Sequence, residues 1–390
     1  MASTPQETST QQPFKQDRPQ PPRALQALLQ EADININGSR PWDMQIESDR
    51  AYSRVLLHGS LGLGEGYMFG DWECHGLDEL FYRLLSKDLD SRMSGWAKVK
   101  LGFEVLRQRL FNLQNESRAF QVGEQHYDTG NDVFERMLDP TMSYSCGYWA
   151  EANTLEEAQR AKLDLICRKL QLQPGDRLLD IGCGWGGLAA FAATNYGADV
   201  TGVTVSQEQQ ALARERCAGL PVKIELLDYR KLQGQFDKIV SVGMFEHVGL
   251  KNYPTYFRTA QRLLTDGGLF LLHTIGSYKS VPYTDPWIDR YIFRNGKLPS
   301  AEEITRAFND LFLIEDWHNF GPDYDRTLMA WWHNFDRAWP ELKSKYGQGF
   351  YRMWRFYLLS CAGFFRAKQG QLWQLVLSKR SRPGSYRSVR

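Results

Sequence analysis

The stretch Leu178-Leu179-Asp180-Ile181-Gly182-Cys183-Gly184-Trp185-Gly186-Gly187 constrains the fold more than any other part of the chain. Its apolar start reads as a strand buried on both faces, glycines follow at once, and Leu188 to Ala193 then read as a helix. A strand, tight turn and helix of this kind open a doubly wound α/β sheet, in which ligands sit beyond the carboxyl ends of the strands. Glycine suits the turn because a side chain there would hold a ligand away from the backbone.

The turn by itself leaves its ligand open. Gly182, Gly184 and Gly187 satisfy the G-x-G-x-x-G of dinucleotide sites. A dinucleotide site also expects an acidic residue about 20 positions on, for the ribose. The next strand, Asp199 to Thr204, ends in Thr204, and Asp199 lies at its wrong end. Asp180, two residues before the first glycine, stands where a carboxylate would meet the amino group of an amino-acid-like cofactor. D-x-G-x-G after a strand therefore points to S-adenosylmethionine, with a nicotinamide-dependent oxidoreductase as the competing reading.

Strands and helices alternate around this turn. Thr154-Leu155-Glu156-Glu157 is a capping box opening a helix to about Leu170, and Ser206-Gln207-Glu208-Gln209 repeats that signature after the second strand. Further strands are expected at Val222–Leu227, which runs into Asp228-Tyr229, at Phe236–Val242, which runs on to Glu246-His247, and at Leu269–Ile275. A helix through Tyr256-Phe257 to Leu264 stops at Asp266-Gly267-Gly268, Ser300 caps another, and Leu311–Trp317 and Trp373–Leu377 complete seven strands. The expectation is a mostly parallel, doubly wound α/β sheet.

At 390 residues the chain is long enough for two domains. Residues 1–22, rich in Gln, Pro, Thr and Ser, read as a disordered tail. Residues 23–120 read as a helical accessory unit: a short helix at Leu25, Leu28 and Leu29, a glycine-rich turn over Ser60–Tyr67, a helical stripe at Leu77, Leu80, Phe81, Leu84 and Leu85, and a charged helical connector over 88–119. Residues 121–390 then form the catalytic domain. Within it, Glu124–Phe134, Asp139–Trp149 and the aromatic stretch 276–299 read as binding loops.

Net charge is +1, so no strong field steers the chain toward nucleic acid. The six cysteines show neither C-x-x-C pairs nor metal spacing, which suits a reducing cytoplasm and no bound metal. No apolar run reaches the roughly 18 to 20 residues of a membrane span. The tail carries Lys379, Arg380, Arg382, Arg387 and Arg390 with no acid, so contact with an anionic membrane surface is a further expectation.

Four motifs in order complete the reading: His126-Tyr127-Asp128-Thr129-Gly130-Asn131-Asp132, Tyr144-Ser145-Cys146-Gly147-Tyr148-Trp149, Leu179 to Gly186, and Phe245-Glu246-His247-Val248-Gly249. With them the chain resembles, over about residues 25 to 380, the cyclopropane-fatty-acyl-phospholipid synthases and their mycolic-acid-modifying relatives. The resemblance implies a class I methyltransferase sheet and an S-adenosylmethionine site. That site comprises Tyr144, Ser145, Leu178, Leu179, Asp180, Ile181, Gly182, Cys183, Gly184, Trp185, Gly186, Thr204, Val205, Ser206, Gln207, Glu208, Gln209, Asp228 and Tyr229. Thr204 and Gln209 would replace the acid at the ribose. It further implies a bicarbonate ion caged by Cys146, Glu246, His273, the backbone of Ile275, and Tyr324. Cys361 is a candidate nucleophile, although its apolar helical setting reads as structural. Implied partners are an unsaturated phospholipid at the inner face of the membrane and a second copy of the chain.

The chemistry asks for such residues. A double bond is a weak nucleophile and must be aligned with the sulfonium methyl. Its attack leaves a carbocation, which water would quench and aromatic faces can stabilise. A base must then take a proton from the added methyl to close the ring. A lipid C-methyltransferase that leaves an open branch, and a non-catalytic lipid carrier, are the alternatives.

Overall fold

A computed structural model describes residues 21–87, 130–281 and 283–390. The expected tail over residues 1–20, the connector and Glu124–Thr129 lie outside the described residues. The N-terminal part supplies helix α1 (Arg23–Glu31), strand β1 (Gln45–Ile46), helix α2 (Arg50–Met68), strand β2 (Trp72–Glu73) and helix α3 (Leu77–Leu85). Helices α4 (Asn131–Met137) and α5 (Leu155–Lys169) lead into the sheet. There follow β3 (Arg177–Ile181), α6 (Gly187–Tyr196), β4 (Asp199–Thr204), α7 (Gln207–Arg216), β5 (Val222–Leu226), β6 (Phe236–Val242), α8 (Tyr253–Leu263) and β7 (Leu264–Ser277). The chain ends with α9 (Pro286–Tyr291), α10 (Ala301–Phe308), β8 (Leu313–Asn319), α11 (Pro322–Arg366) and β9 (Gly370–Ser378).

The seven-stranded sheet has the order β5-β4-β3-β6-β7-β9-β8, parallel except for β9, which runs antiparallel to both neighbours. Adjacent residues of β3 face opposite sides. Leu178 joins a core with Leu163 and Ile166 of α5 and Ala189 and Ala192 of α6. Leu179 joins a second core with Tyr256 and Phe257 of α8 and Phe308 of α10. Helices thus cover both faces. The strand order reverses between β3 and β6, which opens a crevice at the carboxyl ends of those strands.

Two local expectations are corrected. Ser60–Tyr67 is not a turn but the second half of α2, which kinks at Gly59 with φ 58° and ψ −130°. Its glycines make room for neighbours: a Cβ on Gly64 would strike the Trp287 indole, and one on Gly66 would come within 3.2 Å of Trp72. Asp266-Gly267-Gly268 does not separate helix from strand. α8 ends at Leu263, β7 begins at once, and these residues form an irregularity between the pairs Phe236–Leu264 and Lys238–Leu269.

The long helix α11 bends at Gly347, where φ is 71°, and folds over the crevice. It is tied to the N-terminal elements by polar bonds. Arg352 donates to the Tyr67 carbonyl at 2.7 Å, and Arg355 donates to the carbonyls of Cys74 and His75. One continuous buried cluster runs through Trp72 and Leu80, Phe134 of α4, Cys146, and Trp331 and Tyr357 of α11.

The basic C-terminal segment differs from a free cationic tail. Arg390 pairs with Asp316, Lys379 with Asp266, and Arg382 donates to Gln171. Tyr386 donates its hydroxyl proton to the Lys169 carbonyl at 3.0 Å. The acids missing from the tail's own sequence come from the elements beneath it.

Candidate active site

The turn after β3 is built on three left-handed glycines, Gly182, Gly184 and Gly186, with φ of 81°, 54° and 80°. L side chains rarely adopt such angles. Trp185 anchors the turn, donating to Asn131 Oδ1 at 3.1 Å and packing 5.0 Å from the Phe134 ring. Leu178, Leu179 and Ile181 point into the cores. Cys183 is a buried thiol that burial pushes well above its ordinary range. Asp180 is buried, and desolvation pushes its carboxyl up to about 7 against the opposing pull of the Lys162 ammonium.

Beyond β4, Thr204 donates to Gln209 Oε1 at 2.9 Å, and Ser206 caps α7 by accepting from the Gln209 N–H at 3.2 Å. The expected capping box is therefore half made, because the Gln209 side chain turns to Thr204 instead. Gln207 and Glu208 are exposed on the first turn of α7, and Val205 is half-buried. Asp228, expected at an adenine edge, is fixed in place by its own turn. Its carboxylate takes the backbone N–H and the guanidinium of Arg230. The Tyr229 ring is set edge-on to Tyr256 at 5.4 Å, with the Arg230 guanidinium over it at 5.8 Å.

The loop before α5 brings Tyr144 and Ser145 to the crevice. The Tyr144 hydroxyl meets that of Tyr357 at 2.8 Å, and its ring lies 5.2 Å from Trp331 and 6.4 Å from Phe293. Ser145 is held from α5: Gln159 donates to its carbonyl at 2.8 Å, and Lys162 donates to its hydroxyl oxygen at 2.9 Å. Gln159, Lys162 and Thr327 were not expected from the sequence. The available signal was two polar residues on the same helical stripe as Ala158, Leu163 and Ile166.

Glu246 sits on a short 3-10 turn after β6, and its Oε1 accepts the Ile275 N–H at 2.7 Å. Its Oε2 is buried and has no hydrogen-bond partner among the described residues. Burial raises this carboxyl to about 7. His273, two residues before Ile275 on the same side of β7, receives the Gln374 amide N–H on Nδ1 at 3.3 Å. That assignment puts the imidazole proton on Nε2, which is likewise buried without a partner. Burial holds the ring well below its ordinary pKa, so it is neutral. Cys146 lies 3.7 Å from the Thr327 hydroxyl, one helical turn beyond Tyr324. Burial, together with the fields of Cys146 and Glu246, drives the Tyr324 phenol well above its usual range. Among the expected cage residues, contact is thus direct for Glu246 and Ile275. The Ile275 N–H is already taken by Glu246. Cys361 keeps some exposed surface, but its thiol is wrapped by protein and pushed up to about 12, which makes a thiolate nucleophile unfavourable there.

A buried acceptor, Glu246 Oε2, stands on the turn after β6, and a buried donor, His273 Nε2, stands on β7 two residues before the Ile275 amide that Glu246 holds. A model of the mycolic acid cyclopropane synthetase family matches residues 114–375. The chain belongs to that family. Over 357 residues it is 56% identical to the cyclopropane-fatty-acyl-phospholipid synthase of Escherichia coli (strain K12), covering 92% of this chain and 93% of the relative. It is 40% identical over 271 residues to a probable fatty acid methyltransferase of Pseudomonas putida, covering 65% and 68% of the two chains. The solved cyclopropane synthase MmaA2 from Mycobacterium tuberculosis superposes with a TM-score of 0.63 at 32% identity, covering 69% of this chain and all of that one. The cyclopropane synthase family member is therefore a class I S-adenosylmethionine-dependent methyltransferase in fold and in kind. A second solved structure, mycolic acid cyclopropane synthase CmaA1 complexed with SAH and CTAB, has the same TM-score and identity, covering 67% and 98%.

Proposed function

We propose that this chain adds the methyl carbon of S-adenosylmethionine, as a methylene, across a cis double bond in an unsaturated acyl chain of a membrane phospholipid. The products are a cyclopropane ring, S-adenosylhomocysteine and a proton. The observation that carries this reading is the buried pair of unsatisfied polar atoms, Glu246 Oε2 and His273 Nε2. A buried acceptor and a buried neutral N–H donor, linked through the Ile275 end of β7, complement an ion with one hydroxyl and anionic oxygens, as bicarbonate has. Glu246, His273 and Tyr324 would hold it, with Cys146 packed behind. S-adenosylmethionine supplies the electrophilic methyl and bicarbonate the oxygen base.

The chain's own residues do the rest. The glycine turn and Asp180 seat the cofactor, and Tyr144 and Ser145 close over it. The rings of Tyr144, Phe293, Trp331 and Tyr357 exclude water and offer π-faces to a cation lacking a counter-ion. Glu246 and His273 hold the proton acceptor in place. The raised carboxyl of Glu246 still ionises near neutral pH, when it can accept a hydrogen bond from a hydroxyl.

The substrate lies in a bilayer, whereas no helix among the described residues is long and apolar enough to cross one. Peripheral contact is the matching mode. Leu56, Leu57 and Phe69 support it, being 67%, 64% and 60% exposed on and just after α2, near Arg50 and Arg54. The division near residue 120 and pairing of two copies through the N-terminal unit complete the reading.

The test is incubation of purified protein with S-adenosylmethionine and vesicles of monounsaturated phospholipid. A gain of one CH₂ per acyl chain that survives mild hydrogenation as a ring is expected. A gain that hydrogenates to a branched chain would make the protein a C-methyltransferase without ring closure.

A further inference from the structure

Lys162 is an unusual residue for its position. It lies on the buried face of α5, its residue is 1% exposed, and the hydrogen bond of its Nζ goes to a neutral hydroxyl. A buried ammonium without a paired charge is costly. Its hydrogen bond goes to the Ser145 hydroxyl oxygen at 2.9 Å. One turn away on the same face, Gln159 grips the Ser145 carbonyl at 2.8 Å. Two side chains of one helix thus fix both oxygens of a single loop serine. Because Lys162 fills a lone pair of that hydroxyl, the Ser145 proton must point elsewhere, and it has no acceptor among the described residues. Burial pushes the Lys162 ammonium down to about 8, against the fields of Asp139, Cys146 and Asp180, and raises the Asp180 carboxyl to about 7 against the pull of Lys162.

These observations describe one half of a receptor for a zwitterion. Asp180 is a carboxyl buried at the glycine turn, and Ser145 presents a hydroxyl donor backed by Lys162. We propose that Lys162 is a positioning residue for the amino-acid end of the cofactor: through its bond to the hydroxyl oxygen it fixes Ser145 as a donor toward the carboxylate. The proposal rests on the S-adenosylmethionine reading. It assigns the adenosine end to other residues, so it predicts selectivity and not a general loss of binding.

The test is equilibrium binding of three probes to the full-length protein: S-adenosylmethionine, S-adenosylhomocysteine and 5′-methylthioadenosine, the last lacking the amino-acid end. In Lys162→Met, which keeps an unbranched side chain one atom shorter and loses the charge, the first two should bind about tenfold to a hundredfold more weakly, with methylthioadenosine unchanged. Ser145→Ala should show the same selectivity, and the double variant little further loss, because the two act in series. If Lys162→Met does not fold, the serine variant alone carries the test. Equal weakening for all three probes, or no weakening, would overturn the proposal while leaving the methyltransferase reading intact. A wild-type protein that binds methylthioadenosine and neither amino-acid-bearing probe would overturn both.

Discussion

At the scale of single residues, burial decides which charges are available. Glu246 carries a carboxyl raised from 4.5 to about 7, because its ionised form is desolvated. Wild-type turnover should therefore fall below about pH 7, as Glu246 takes up a proton and ceases to accept one, which a pH–rate profile of kcat would show. The stability consequence has the opposite slope. The folded state holds this proton more tightly than the unfolded chain, so stability falls as pH rises from about 4.5 to about 7 and then levels, by about 3 kcal/mol. Glu246→Gln should thus melt higher than wild type at pH 8, the two converging toward pH 5. The same variant should lose roughly 10²- to 10⁴-fold in kcat with S-adenosylmethionine affinity unchanged. A wild-type rate in that variant would refute the assignment. At this scale the sequence was legible where a motif fixes backbone geometry, as at Asp180 and the glycines. It was not legible for Lys162 and Gln159, whose meaning depends on which helix face meets the Ser145 loop. Nor was the pairing of Asp228 with Arg230, which stands only two residues on but needs the local turn to reach back.

At the scale of elements, alternation of apolar strands and capped helices gave the sheet correctly, down to the full capping boxes at Thr154 and Ser300. The glycine cluster in α2 misled because glycine serves two purposes. It permits unusual backbone angles, as at Gly59, and it permits close approach, as at Gly64 against Trp287. Composition does not separate the two, since the second requires knowing the partner surface. The same distinction gives a prediction. A Cβ on Gly363 of α11 would lie 2.6 Å from the Asp78 carbonyl oxygen of α3, whereas one on Gly267 would meet nothing within 4 Å. Gly363→Ala should cost about 1 to 3 kcal/mol in chemical denaturation, and Gly267→Ala should be close to neutral. Equal effects would show that α3 and α11 do not meet as described.

At the scale of the whole molecule, long-range pairing was the least legible. The basic tail reads as a membrane contact because its acids are far away in sequence, yet Asp316 and Asp266 receive Arg390 and Lys379. Removing residues 379–390 should therefore lower thermal stability, with less effect on binding to anionic vesicles than the count of cations suggests. Loss of vesicle binding at unchanged melting temperature would restore the membrane role. The aromatic excess resolves into packing and function in the same way: Trp287 fills the joint between α2 and α11, whereas Tyr144, Phe293 and Tyr357 meet at the crevice. The central claim is that Glu246 and His273 organise an exchangeable oxygen base for ring closure. Its most direct test is the rate of cyclopropane formation in bicarbonate-depleted buffer, before and after bicarbonate is added back, in wild type and in Glu246→Gln. Stimulation of the wild type with none in the variant is the predicted result; equal stimulation of both, or none in the wild type, would contradict it.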